Sequence, residues 1–249
     1  MDTKALQLES RFSLPPNSLG YCGQNTAAAK FKLCITEGIC SGVEEEVTRF
    51  IVLHPYLKLL AEISDQPMLS YPVIESYWIG NDLLKKAESA HYDLLLEYFL
   101  KQGVPDFFVE ELRLKKPERF IPNHLFQVLH IGVGRASGAV PFNIQTINNC
   151  MIRWGKVEKI TSCHSRETKN DKKTKFKCAS VNLSSLQKIH ESYHLTKLQE
   201  TVPFNPELVP ELKSGDTVAV HWNMIIKILT KEEEKNLIYW TKEVLSAQS

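Results

Sequence analysis

The sequence predicts an α+β protein, with an all-helical domain over residues 1–145 followed by a β-rich domain over 146–249 that closes on a helix. Three observations carry this. Apolar residues recur at helical spacing through most of the first part, as in Phe50, Leu53, Leu57 and Leu60. From Cys150 the pattern changes to short β-rich runs. The last stretch opens on Thr230-Lys231-Glu232-Glu233, a capping box in which the Thr230 oxygen accepts from the Glu233 amide and the Glu233 carboxylate from the Thr230 amide.

Length and composition suit this. A chain of 249 residues has room for one large domain or two modest ones. A hydrophobic content of 43% and a charged content of 24% are ordinary for a folded soluble protein. The net charge of +1 argues against wholesale attraction to nucleic acid or membrane. It divides as −3 over residues 1–149 and +4 over 150–249. No run reaches the roughly 20 apolar residues of a membrane span, and the N-terminus has no apolar signal core. Six cysteines without a C-x-x-C pair, in a chain this long, point to free thiols in a reducing cytoplasm rather than to a disulfide framework.

Taken in order, residues 10–24 hold Pro15, Pro16, Gly20 and Gly23 and read as an irregular loop, with Cys22 a buried structural thiol or a reactive one. A helix follows from Ala27 to about Glu37, stopped by Gly38. The next begins near Gly42, and Pro55 kinks or splits it. His54 reads as a packed or capping residue. Pro72, in the stretch Ser70–Asp82, suits the first turn of a helix. Within it Glu75 is either on a polar face or a buried carboxylate lining a pocket. Residues 87–102 form the clearest helix, ended by Gly103, and Pro105 opens another. A short helix from Asn123 carries His124 and His130, which are six apart and share no face.

In the second part, Met151–Ile160, Cys178–Val181 and Thr217–Trp222 read as strands, and residues 185–198 as a short helix. The segment 165–177 carries Arg166, Lys169, Lys172, Lys173, Lys175 and Lys177, with Phe176 as its one aromatic. It is a solvated loop without the interleaved rings of a single-strand binder, so nucleic acid is not the expected partner.

Two motifs of the second part, Cys150-Met151-Ile152-Arg153-Trp154-Gly155-Lys156-Val157 and Gly215-Asp216-Thr217-Val218-Ala219-Val220-His221, together with the capped terminal helix, resemble the small hydrogenase-assembly chaperones of the HypC/HupF type. The resemblance implies a small OB-like β-barrel followed by a helix. It implies an accessory, maturation-type protein that binds a protein partner, such as a metalloenzyme precursor, and that carries or transfers an iron centre. Cys150 and His221 take the places of the residues implicated there in holding the metal. Three features depart from the pattern: Cys150 is internal, the segment between the strands is longer, and Trp154 replaces a proline. The first part resembles a bacterial and archaeal helical family without an assigned activity, through Pro15–Gly23 and Glu75–Asn81.

A thiolate and a neutral imidazole suit iron, or secondarily zinc, and two protein ligands leave positions open for a cargo that must be passed on. The plainer reading is a half-buried cysteine and a core histidine. The enzyme alternative is His190-Glu191-Ser192-Tyr193-His194, which matches H-E-x-x-H. On a helix that spacing would make a metal-dependent hydrolase, with Glu207 or Glu211 as the third ligand.

Overall fold

The computed structural model describes residues 2–24, 26–135, 138, 140–162 and 177–247. Nine α-helices precede the sheet among the described residues: α1 (Thr3–Ser18), α2 (Ala27–Glu37), α3 (Val43–Thr48), α4 (Leu53–Ser64), α5 (Tyr71–Trp78), α6 (His91–Lys101), α7 (Asp106–Leu114), α8 (His124–Phe126) and α9 (Ile144–Cys150). A 3-10 turn covers Asp82–Lys86, and a π-helical turn, Gln127–Gly132, continues α8. The strands are β1 (Arg153–Ser162), β2 (Lys177–Ile189), β3 (Ser192–Phe204), β4 (Thr217–His221) and β5 (Met224–Ile228), and α10 (Lys231–Ser246) ends the chain. No described helix is long and apolar enough to cross a membrane.

Most helix boundaries fall where the local signals put them. Gly38 caps α2 in the left-handed conformation. Pro55 splits the run after Gly42 and sits in the first turn of α4, where its missing N–H costs no bond. Thr230 and Glu233 make the expected capping box. Residues 10–18 differ from expectation. They are helical, and α1 runs through Pro15 and Pro16. Ala5, Leu6, Leu8 and Phe12 bury one face of α1, and that burial outweighs the lost backbone bonds.

The sheet is antiparallel, in the order β3-β2-β1-β4-β5. It is open. Strands β3 and β5 approach one another but no ladder joins them among the described residues, so the expected barrel closure is absent. The helix expected over 185–198 is instead a hairpin, with Ile189 paired to Ser192 and Leu186 to Leu195. The basic segment 165–176 lies outside the described residues, and Lys177 begins β2.

The two parts share a continuous apolar core that runs from Ala5 to Val244. Polar contacts stitch the seam. The Arg11 guanidinium on α1 donates to Leu208 O at 2.6 Å and to Ile226 O at 3.3 Å, and Arg119 pairs with Glu243 on α10. Gly80 lies against Trp240 of α10. A Cβ there would meet three Trp240 side-chain atoms at 2.3–2.9 Å, and its φ of +94° is one that glycine alone adopts readily. Cys34 and Cys40 form a disulfide between α2 and the loop before α3, and Cys178 is also disulfide-bonded. The expectation of free thiols therefore fails for these three. Cys22 and Cys150 are free.

Candidate metal centre

Three side chains from three elements converge where the helices meet the sheet: His124 at the start of α8, Cys150 at the end of α9 and His221 at the end of β4. Their donor atoms all lie within 4.8 Å of one another. All three residues are buried, at 4%, 5% and 1% exposure.

Local structure explains each position. The Asn123 side chain caps α8 by accepting from the Phe126 amide at 2.9 Å, which fixes the turn that presents His124. Cys150 ends α9 three residues before β1, and β1 pairs with β4 so that Arg153 faces Val220. That register carries the end of β4 back toward Cys150. His221 is its last ladder residue, opposite Met224. Trp222 and Asn223 between them have φ of +46° and +56°, the backbone of a tight two-residue hairpin turn. The Trp222 amide donates to Asn149 O at 2.7 Å and locks this turn to α9. Cys150 and His221, seventy-one positions apart in the chain, meet for these reasons.

The hydrogen bonds decide which nitrogens are available. His221 Nδ1 lies 2.7 Å from Phe12 O. A carbonyl only accepts, so Nδ1 carries the proton and Nε2 is a bare lone pair. That Nε2 is buried and has no hydrogen-bond partner. Phe12 O is free for this contact because Pro16, four residues on in α1, has no N–H to give it. His124 Nδ1 lies 3.1 Å from the Tyr77 hydroxyl, which also bonds to Gln127 Oε1. His124 Nε2 lies 2.8 Å from Cys150 O and 3.8 Å from Cys150 Sγ. The same rule assigns the proton of His124: Nε2–H donates to the Cys150 carbonyl, and Nδ1 accepts from the Tyr77 hydroxyl. To bind a metal through Nε2, His124 must give up the bond to Cys150 O and move its proton to Nδ1, with Tyr77 turning its own proton to Gln127.

Trp78 packs over both imidazoles, with ring centroids 4.5 Å from His124 and 5.6 Å from His221. Its indole N–H donates to Glu9 Oε2 at 2.7 Å, and Ser13 donates to Glu9 Oε1 at 2.5 Å. Burial pushes the Glu9 carboxyl up to about 7, against which its two hydrogen bonds act. Burial also lowers His124 to about 4 and holds His221 well below the usual imidazole range, so both rings are neutral at pH 7. It raises the Cys150 thiol well above its ordinary value. The neutral His221 offers a free Nε2 to a cation, while His124 must release the Cys150 carbonyl and the thiol its proton before either can bind.

The cluster forms the floor of a cleft of about 350 Å³. Exposed Gly20, Gly23, Gln24, Arg49 and Ile51 belong to its rim, and Cys22 and Trp222 also line it. No carboxylate lines this cleft among the described residues.

Cys150 and His221 are thus where the motifs put them, in one pocket, and His124 joins them. Nothing in the local sequence marks His124 as their partner. Its spacing to His130 is uninformative, and His130 sits elsewhere, 2.9 Å from the Tyr92 hydroxyl and stacked on Phe126. The hydrolase motif fails on geometry. His190 and Glu191 are the two-residue turn between β2 and β3, and His194 pairs with Gln187. All three are exposed and on no helix, so the shared face that the motif requires does not exist. Glu207, one of the two expected third ligands, pairs with Lys32 at 2.7 Å. Glu75 is half-buried, takes a hydrogen bond from Asn81 at 2.8 Å and does not line the cleft. His54 is a packing residue bound to Gln102.

Fold and site together define an α+β protein with a buried His/Cys/His cluster at the foot of a cleft between its helices and its sheet. Over residues 1–249 the chain matches the family of unknown function DUF6390, and it belongs to that family. No curated protein and no solved structure matches it.

Proposed function

We propose that this protein is an accessory factor that binds one transition-metal ion through His124, Cys150 and His221 and passes it, without turnover, to a protein partner such as a metalloenzyme precursor. One observation carries this reading: a buried, unpartnered imidazole nitrogen, His221 Nε2, lies within 4.8 Å of a second imidazole donor and a free thiol, at the floor of a cleft. One soft sulfur and two borderline nitrogens suit Fe(II) or Zn(II) better than Mg or Ca. Three protein donors leave a coordination position on the cleft side. The resemblance of the Cys150 and His221 motifs to the HypC/HupF-type chaperones supports the same reading, with the five strands corresponding to an OB-like barrel left open along β3 and β5. His124 adds a donor from outside that pattern.

The test is to load the protein anaerobically with Fe(II), and separately with Zn(II), and to measure the bound metal after desalting. Wild type is expected to keep about one equivalent, and a Cys150→Ala/His221→Ala double variant none. Equal metal in both would overturn the reading.

A further inference from the structure

We propose, building on the metal site above, that Cys22 is its fourth donor, so that the protein holds a zinc-class divalent cation in a two-cysteine, two-histidine shell completed from the cleft side. Cys22 belongs to the Tyr-Cys-Gly end of the motif Pro15–Gly23, which the three-donor site leaves unexplained. It lies in the segment between α1 and α2 and lines the same cleft as His124, Cys150 and His221. The two cysteines that are free among the described residues are thus both in one cleft, whereas Cys34, Cys40 and Cys178 are bridged.

The chain on either side of Cys22 is fastened to the ligands. Tyr21 packs on Trp222 with ring centroids 4.5 Å apart, which sets the residue before Cys22 against the residue after His221. Asn17 Nδ2 donates to Cys22 O and to Gln24 O, each at 2.8 Å. Gly23 presses on Phe50 so closely that a Cβ would lie 2.8 Å from the ring. The backbone of Cys22 is therefore held in place, and its side chain is the part left to turn. The independent sign that a ligand belongs here is the bare His221 Nε2, buried on the same cleft.

The Cys22 sulfur is not one of the donors already within 4.8 Å of each other. A turn about its Cα–Cβ bond must bring it onto the cation. Each thiol then releases its proton to solvent as its sulfur takes up the metal. Four donors close the tetrahedral shell that zinc-class ions prefer. Cys22 is the one on the cleft side, so it is the donor that a receiving ligand displaces first.

Cobalt(II) reports the number of thiolates directly, through its thiolate-to-metal charge-transfer absorption in the near ultraviolet. Anaerobic titration of wild type with cobalt alone is expected to give one bound ion with two-thiolate intensity, and the Cys22→Ser variant about half that intensity per ion. Full intensity in Cys22→Ser would overturn the proposal while leaving the three-donor reading intact. Failure of wild type to bind cobalt would remove that reading and this one with it. A second measurement on wild type avoids reliance on a variant: alkylation of Cys22, followed by mass spectrometry, is expected to slow at least tenfold when cobalt is bound. An unchanged rate would count equally against Cys22 as a donor.

Discussion

The Phe12 carbonyl shows how one residue type can tune a site elsewhere in the chain. Pro16 withholds the helical N–H that Phe12 O would otherwise accept, and His221 Nδ1 takes it instead. Restoring that N–H with Pro16→Ala should set up a competitor for the same oxygen and loosen the imidazole. The expected result is a loss of zinc affinity of about tenfold, the low end for a residue that orients a ligand, with an unchanged far-ultraviolet circular dichroism spectrum. Unchanged affinity would show that His221 needs no such anchor. Glu9 makes a second residue-scale prediction. Its folded pKa of about 7 lies above the ordinary 4.5, so its contribution to stability is complete below pH 4.5 and is lost as pH rises through 7. Glu9→Gln removes the charge and keeps one of the two accepting oxygens. The variant should gain on wild type between pH 4.5 and 7, by up to about 3 kcal/mol. Urea unfolding across that range checks it, and a constant difference would contradict it.

At the scale of elements, what the sequence made legible was punctuation. Gly38, Pro55, Pro72, Gly103 and the Thr230/Glu233 box each act within one turn of helix, and α2, α4, α5, α6 and α10 end or begin at them. Two elements depart from the local signals because the deciding forces are not local. The prolines in α1 argue for a loop, yet the core holds them helical through Phe12 and its neighbours. Residues 185–198 are polar enough for a surface helix, but pairing with one another makes them a hairpin that crosses His190 and Glu191. The match to H-E-x-x-H fell with that helix. The Glu75–Asn81 motif, opaque in the sequence, has a packing explanation in the structure: Tyr77 and Trp78 touch His124, Asn81 holds Glu75, and Gly80 lets Trp240 of α10 approach. Gly80→Ala should therefore destabilise the protein by at least about 2 kcal/mol. A fall of about 4–8 °C in Tm is the expected reading, and a Tm within a degree of wild type would contradict the contact.

Across the whole molecule, the site belongs to neither part alone. Helices α1, α5 and α8 supply the Phe12 carbonyl, Tyr77, Trp78 and His124, and α9 and β4 supply Cys150 and His221. Cys150 and His221 are legible in the sequence because one opens and the other ends a motif with its own pattern. His124 is not, because only the packing of α8 against α9 and β4 gives it a place there. The central claim is that these three side chains hold one cation, and the X-ray absorption spectrum of the zinc-loaded protein tests it most directly. The expected spectrum shows imidazole nitrogens at about 2.0–2.1 Å together with sulfur at about 2.3 Å, with the imidazole signal reduced in His124→Ala and in His221→Ala. A first shell of oxygen or non-imidazole nitrogen alone, with no sulfur and no change in either variant, would contradict it.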